Sequence, residues 1–421
     1  MTPARVFLPI VALTVLASCT DAPVASAPDI RSPVALVSKY RAVPIDARVE
    51  GQYLVVLPDS ASDVAIDAHA RRSAEAYGGS VLYTYHEALK GYAIRLGSAA
   101  DAELIAHDPQ VAYVEEDQKA MATQSQTIGV VVPSLQPTTA GMWGLARIIQ
   151  HDLPLYPAFT YVNTGSGVTV YILDTGIRTT HVEFEGRASY GTNFVPTTVP
   201  NLGDCNGHGT HVAGTVGSKT FGVAKKVKLV SVRVLDCNGL ASAAVVAAGL
   251  DWVTARKAAN RTAPMIANLS LTLASASTTV DNAVNAALFT GVVVVVAAGN
   301  NNAPAASYSP ARVPGAITVS ATSQSDARYP TANYGASVDL FAAGTSIQSL
   351  WNTSDASTST GFMSGTSAAA PFVSGIAAQI LQGQPLTTPP MMEAVLKTYS
   401  TKNKVTNAGA GSPNNLLYWV W

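Results

Sequence analysis

Three polar side chains stand in settings that suit nucleophilic chemistry. Ser367 lies in Gly361-Phe-Met-Ser-Gly-Thr-Ser-Ala-Ala-Ala-Pro-Phe-Val-Ser-Gly375, between a glycine-rich approach and a helix-forming run. Gly365 permits a tight turn, and Ala368 to Ile380 is expected to be a helix that starts at Ser367 and tolerates Pro371 in its first turn. A hydroxyl at a helix N-terminus meets unpaired N–H groups and the positive dipole end, which suits a developing oxyanion; the same description fits an ordinary N-cap serine. His208 lies in Asn206-Gly-His-Gly-Thr-His-Val-Ala-Gly-Thr215, whose small residues allow close packing, and His211 beside it reads as structural. Asp174 ends an apolar run in Leu173-Asp-Thr-Gly-Ile177, a place where a turn former is equally at home. A serine hydroxyl keeps its proton near neutral pH and needs a base. An imidazole titrating near about 6.5 can take that proton and return it, and a carboxylate can fix its tautomer and stabilise its charged form. Together the three groups could carry acyl transfer from an amide to water through a covalent intermediate.

The elements that would position them alternate. Val168 to Leu173, Lys228 to Leu235, Met265 to Leu271 and Val292 to Val296 are β-branched apolar runs, as expected of strands buried on both faces. Between them, His208 to Gly217, Ser242 to Arg256 and Val280 to Phe289 read as helices. The fold class is therefore α/β: a mainly parallel sheet flanked by helices, with its site at the carboxyl ends of the strands. Upstream, strands at Tyr53 to Leu57, Ser80 to Tyr85, Gly91 to Leu96 and Val111 to Glu116 alternate with helices at Ser62 to Tyr77 and Ala99 to His107. That β-α-β-β-α-β order predicts a small α+β ferredoxin-like sandwich.

Composition narrows the function classes. A net charge of −1 with 13% charged residues gives no reason to expect a nucleic-acid partner, and 48% hydrophobic residues can build a large core over 421 residues. Arg5 precedes the apolar run Val6 to Ala17, too short for a mature membrane span but suited to an export signal. Leu16-Ala-Ser-Cys19 resembles a bacterial lipobox, which would lipidate Cys19; an ordinary signal cleaved nearby is the alternative. The expected organisation is a signal over 1–19, a Pro- and Ala-rich linker over 20–48, the sandwich over 49–118, an exposed connector with a processing site over 119–142, and the large domain over 143–421.

The order Asp174-Thr-Gly, His208-Gly-Thr-His, then Gly365-Thr-Ser367-Ala-Ala-Ala-Pro371 resembles the three signatures of the subtilisin-like serine proteases, the subtilases. The likeness runs from Gly144 to Tyr418 and is strongest toward the proteinase K and aqualysin branch. It implies a secreted serine endopeptidase, usually monomeric, with Asp174, His208 and Ser367 as its triad. Asn300, in Ala297-Ala-Gly-Asn-Asn-Asn302, would donate to the oxyanion, with Asn301 and Asn302 as weaker candidates. The sandwich resembles the family's inhibitory prodomain, whose tail lies in the cleft, so the partners are a peptide substrate and the chain's own prodomain, with a mature start expected near Ala122 or Thr123. The surroundings of Cys205 and Cys237 resemble the aqualysin disulfide, and an exported chain permits one. The family's calcium site maps to Pro314, Ala316 and Asp339.

Some positions depart from the pattern. Leu269, Ser270 and Leu271 would line the primary pocket, but Thr272-Leu273-Ala274 follows where glycines are usual; this predicts a narrowed pocket favouring a small or differently shaped residue. Gly239, Leu240 and Ala241, expected to pair with extended substrate, form a bulkier segment than is usual. Ala368 replaces a usual methionine and Phe372 a usual histidine, read as packing changes. A peptide-capturing scaffold without turnover, and an esterase, remain as alternative functions.

Overall fold

The computed structural model describes residues 39–123, 125–127, 142–195 and 203–420. The signal, Cys19, most of the linker and the connector from 128 to 141 lie outside the described residues.

The sandwich contains β1 (Arg48–Val56), α1 (Asp63–Ala76), β2 (Ser80–Tyr85), β3 (Gly91–Arg95), α2 (Ala99–Ala106) and β4 (Tyr113–Ala122). Its antiparallel sheet runs β4-β1-β3-β2, the ferredoxin-like order, with the short strand Tyr40–Arg41 added parallel beyond β4. Both helices begin on serine caps: Ser62 Oγ accepts from Ala65 N and Ser98 Oγ from Asp101 N, each at 3.3 Å. Val55, Ile66, Tyr92, Ile94 and Val114 are fully buried between the helices and the sheet. Each such side chain stabilises the unit by about 1.5–3 kcal/mol relative to exposure.

The larger layer contains β5 (Thr169–Asp174), β6 (Ala188–Asn193), α3 (His208–Gly217), β7 (Lys228–Arg233), β8 (Leu240–Ser242), α4 (Ala243–Ala259), β9 (Met265–Leu269), β10 (Leu271–Leu273) and α5 (Thr278–Thr290). It continues through β11 (Val293–Ala297), β12 (Ile317–Thr322), β13 (Leu340–Ala343), α6 (Thr366–Gly383) and α7 (Pro389–Tyr399). The central sheet runs β13-β12-β11-β9-β5-β7-β6, all parallel, and the hairpin Thr401–Lys402 with Asn415–Leu416 extends it beyond β13. Strands β9 and β11 are buried at every residue, which explains their almost wholly apolar sequence; the one polar side chain, Asn268 of β9, is paired with Ser270 Oγ and Ser374 Oγ. Helix α6 is buried from Thr366 to Leu381 and passes through one of the two cores that flank this sheet.

Three expectations about local structure are corrected. The helix carrying Ser367 starts at Thr366 with Gly365 as its cap, so Ser367 is its second residue and Pro371 lies beyond the first turn. Pro371 has no N–H to give the Ser367 carbonyl, which accepts a hydrogen bond from Ser270 Oγ at 3.0 Å instead. The connector expected from 119 onward begins as the end of β4, and neither Ala120 nor Thr123 is exposed. Its backbone groups are paired on both sides, because β8 and β10 sandwich it: Met121 lies opposite Leu240 and Thr272, and Ala120 opposite Ala241 and Leu273, both pairings antiparallel. A short segment with no clear strand pattern of its own is paired as a strand by two edges that come from distant parts of the chain.

Candidate active site

Asp174 ends β5, His208 opens α3, Ser367 stands in the first turn of α6, and Asn300 follows β11, so all four gather at the carboxyl edge of the parallel sheet. The Asp174, His208 and Ser367 side chains are fully buried. His208 Nδ1 donates to Asp174 Oδ1 at 2.6 Å, and Thr175 N donates to the same oxygen at 2.7 Å. Since the carboxylate only accepts, the proton of a neutral His208 lies on Nδ1 and leaves Nε2 as a base. His208 Nε2 is buried without a partner, and no hydrogen bond among the described residues joins it to Ser367.

Asp204, which sequence reasoning missed, builds the loop that delivers the imidazole. Its Oδ1 accepts from Thr175 Oγ1, Asn206 N and Gly207 N at 2.9 Å, and its Oδ2 accepts from Thr210 N at 2.9 Å and Thr210 Oγ1 at 2.7 Å. One carboxylate thus ties the end of β5 to the start of α3. The disulfide Cys205–Cys237 clamps the same loop, and the Arg233 guanidinium lies 3.0 Å from Cys205 Sγ. His211 Nε2 donates to the Ile347 carbonyl at 2.8 Å, and burial lowers its pKa to about 3, which keeps it neutral and structural.

Ser367 does not face empty solvent. The Thr123 carbonyl oxygen accepts from Asn300 Nδ2 at 2.8 Å, from Ser367 N at 3.3 Å, and from Ser367 Oγ. The Asn300 amide is aimed by Thr366 N, which donates to its Oδ1 at 3.1 Å. Gly365 is required here: its φ is +132°, and an added Cβ would come within 2.5 Å of Asn300 Nδ2 and 2.9 Å of the Thr123 oxygen. Ser367 Oγ lies 2.5 Å from Thr123 Oγ1 and 3.0 Å from the Ser270 carbonyl. Thr123 N donates to Ser270 O at 3.4 Å, and Ala122 N to Gly239 O at 2.9 Å. Beyond residue 124, Ser125–Thr127 pairs antiparallel with the strand Thr360–Ser364, so paired segments flank Ser367 on both sides. The bond aligned with the donors is therefore Thr123–Gln124, one or two residues downstream of the start expected near Ala122 or Thr123.

Most of the expected pocket residues lie along the chain's own segment Ala120 to Thr123. Gly239 and Ser270 accept the hydrogen bonds just described, Leu240 and Ala241 pair with Met121 and Ala120, Leu271 and Thr272 pair with Ala122 and Met121, and Leu269 is buried at the end of β9. Thr272 Oγ1 turns away to the Leu273 carbonyl at 3.2 Å. Phe372 packs against Gly144, where an added Cβ would lie 2.5 Å from its ring, consistent with a packing change.

Residues of β4 also complete two helices of the larger layer. Asp117 Oδ1 accepts from Ala244 N at 3.1 Å at the start of α4, where Ser242 supplies no side-chain cap bond. Glu115 accepts from Thr279 N at 3.1 Å and from Ser277 Oγ at 2.5 Å at the start of α5. Carboxylates at helix N-termini satisfy free N–H groups and complement the dipole. Burial nevertheless pushes Asp117 up to about 6 and raises Glu115. In return, Asp251 of α4 accepts from the N–H groups of Glu87 at 2.7 Å and Ala88 at 2.6 Å.

Pro314, Ala316 and Asp339 do share a cavity of about 260 Å³, but the arrangement does not fit a calcium ion. Asp339 Oδ1 is 2.5 Å from Lys397 Nζ and Oδ2 accepts from Thr318 N at 2.8 Å, so the one carboxylate of the set is already engaged. Calcium requires six to eight oxygens at about 2.3–2.6 Å, the distance the ammonium occupies.

The chain matches the model of the subtilase family over residues 165–416 and that of peptidase inhibitor I9 over residues 52–122. It is 44% identical to an extracellular serine proteinase of Thermus sp. strain Rt41A, over 96% of this chain and 97% of the relative. It is 38% identical to the alkaline serine exoprotease A of Vibrio alginolyticus, over 92% of this chain and 71% of that one. The crystal structure of a cold-adapted subtilisin-like serine proteinase aligns with a TM-score of 0.61 at 44% identity, covering 66% of this chain and 98% of that chain. Fervidolysin from Fervidobacterium pennivorans aligns with a TM-score of 0.71 over 90% of this chain and 61% of its own at 23% identity, a likeness of fold alone.

Proposed function

Because this chain belongs to the subtilase family and is a serine endopeptidase, we propose that it is an exported zymogen that cleaves its own Thr123–Gln124 bond with Ser367, His208 and Asp174. The observation that carries this reading is the Thr123 carbonyl oxygen held between Asn300 Nδ2 and Ser367 N. An oxyanion forming on that atom gains both donors without rearrangement. Ser367 Oγ first leaves its contact with the carbonyl oxygen and turns its proton to His208 Nε2, the buried acceptor that has no other partner. Oγ then bonds to the Thr123 carbonyl carbon, the bond to Gln124 breaks, and His208 returns the proton to the Gln124 amine. Water, deprotonated by His208, hydrolyses the Thr123 ester on Ser367, while Asp174 holds the imidazole and stabilises its charged form. The I9-type unit then remains as a product inhibitor in the cleft until it is removed. Extracellular relatives and the apolar run Val6 to Ala17 support export. Among the described residues no helix is long and apolar enough to cross a membrane.

A fluorophosphonate probe tests the nucleophile directly. The processed protein should label at Ser367 and digest casein, and Ser367→Ala should do neither; labelling elsewhere, or casein digestion by the variant, would overturn the assignment.

A further inference from the structure

The cavity beside β12 and β13 has an oxygen-rich wall and a positive charge supplied by the chain. Its lining includes Arg312, Pro314, Gly315, Ala316 and Asp339 together with Glu393 and Lys397 of α7; Arg312 pairs with Asp281 Oδ2 at 3.2 Å, which leaves Lys397 as the cation on the cavity's carboxylates. Lys397 Nζ lies 2.5 Å from Asp339 Oδ1 and 2.5 Å from Glu393 Oε1, so one ammonium bridges two carboxylates. Asp339 is 12% exposed, and its second oxygen accepts from Thr318 N, which anchors it to the start of β12. Burial opposes the charge on Lys397, but the hydrogen bonds to Asp339 and Glu393 outweigh it and hold the ammonium above the ordinary lysine range.

We propose that the Lys397 ammonium is a tethered replacement for a structural metal ion, which makes this cavity independent of calcium. A calcium ion beside Nζ would set three positive charges against two carboxylates at contact distance, so the two cations exclude each other. The ammonium needs no free ion in solution, because its attachment to α7 fixes its local concentration. Removing only the ammonium leaves two carboxylates and the backbone of Pro314 to Ala316, a hard-oxygen donor set of the kind calcium prefers. The substitution Lys397→Met is therefore expected to create a calcium site where the parent has none.

The test uses the full chain carrying Ser367→Ala, which prevents self-digestion, with calorimetric calcium titration and thermal unfolding in millimolar calcium chloride or EDTA. Asp339→Asn should change neither the bound calcium nor the calcium dependence of Tm in this parent. Lys397→Met should bind one calcium more than the parent and gain several degrees in Tm from calcium, whereas Lys397→Arg, which keeps a cation, should not. Loss of a calcium equivalent from the parent on Asp339→Asn would overturn the proposal, as would a folded Lys397→Met that gains none. If Lys397→Met does not fold, the Asp339→Asn comparison decides alone.

Discussion

In the proposed mechanism Asn300 and Ser367 do different work, and their substitutions should separate. Asn300→Ala removes a donor that matters most when the carbonyl oxygen becomes an oxyanion. Turnover of a peptide ester should fall by roughly 10²–10³ with KM little changed; equal losses in binding and turnover would assign Asn300 to ground-state binding. Ser367→Ala removes the nucleophile, and kcat should fall by at least ~10⁴. Asp174, His208 and Ser367 could be singled out because each stands in a glycine-flanked motif, and the fold brings all three to the carboxyl edge of the sheet. Asp204 could not, since an aspartate before Cys-Asn-Gly looks like turn chemistry, and its five bonds are made to groups that only the fold brings near. The proposed Thr123–Gln124 bond lies one or two positions from the start expected near Ala122 or Thr123, because side chains suggest a segment and backbone pairing singles out one carbonyl within it.

At the scale of elements, β4 contributes to both units, since its side chains start helices that belong to the larger layer. Asp117 has a folded value near 6 against an ordinary value of 3.8. The folded precursor thus binds this proton more tightly than the unfolded chain, so the contribution favours folding below about pH 4 and is lost as pH rises through about 6. In the Ser367→Ala precursor, stability relative to an added Asp117→Asn should rise on going from pH 7 to pH 4, by at most about 3 kcal/mol. Urea unfolding at both values checks this; a pH-independent difference would mean that Asp117 titrates normally. The disulfide across the His208 loop closes a 32-residue separation. Cys205→Ser with Cys237→Ser should cost up to about 4 kcal/mol in denaturant unfolding at pH 7; no loss would mean the loop is held by Asp204 alone. The α/β alternation could be read because β11 is an unbroken apolar run and β9 is broken only by Asn268. Helix α7 went unread, although Glu393 and Lys397 at i,i+4 spacing were a signal for it.

At the scale of the whole molecule, the end of β4 lies between the edges β8 and β10, with the Thr123 carbonyl against Ser367 N. The sandwich and four strands of the parallel sheet could be read from their apolar patterns, whereas Ala188–Asn193, Ile317–Thr322 and Leu340–Ala343 were not read. How the sandwich's last strand enters the cleft could not be read, since the contacts of Ala120 to Thr123 are made to segments more than one hundred residues away. The mapping of calcium onto Pro314, Ala316 and Asp339 met an obstacle of the same scale: Asp339 meets Lys397 only after the chain returns through α7. The register also makes the central claim directly measurable. Wild type and Ser367→Ala, each produced without Met1 to Cys19, should be compared by intact mass and N-terminal sequencing. The account predicts that the wild type begins at Gln124 and that Ser367→Ala keeps the prodomain in one uncut chain. Identical processing of both proteins, or a wild type that is never cut after Thr123, would contradict it.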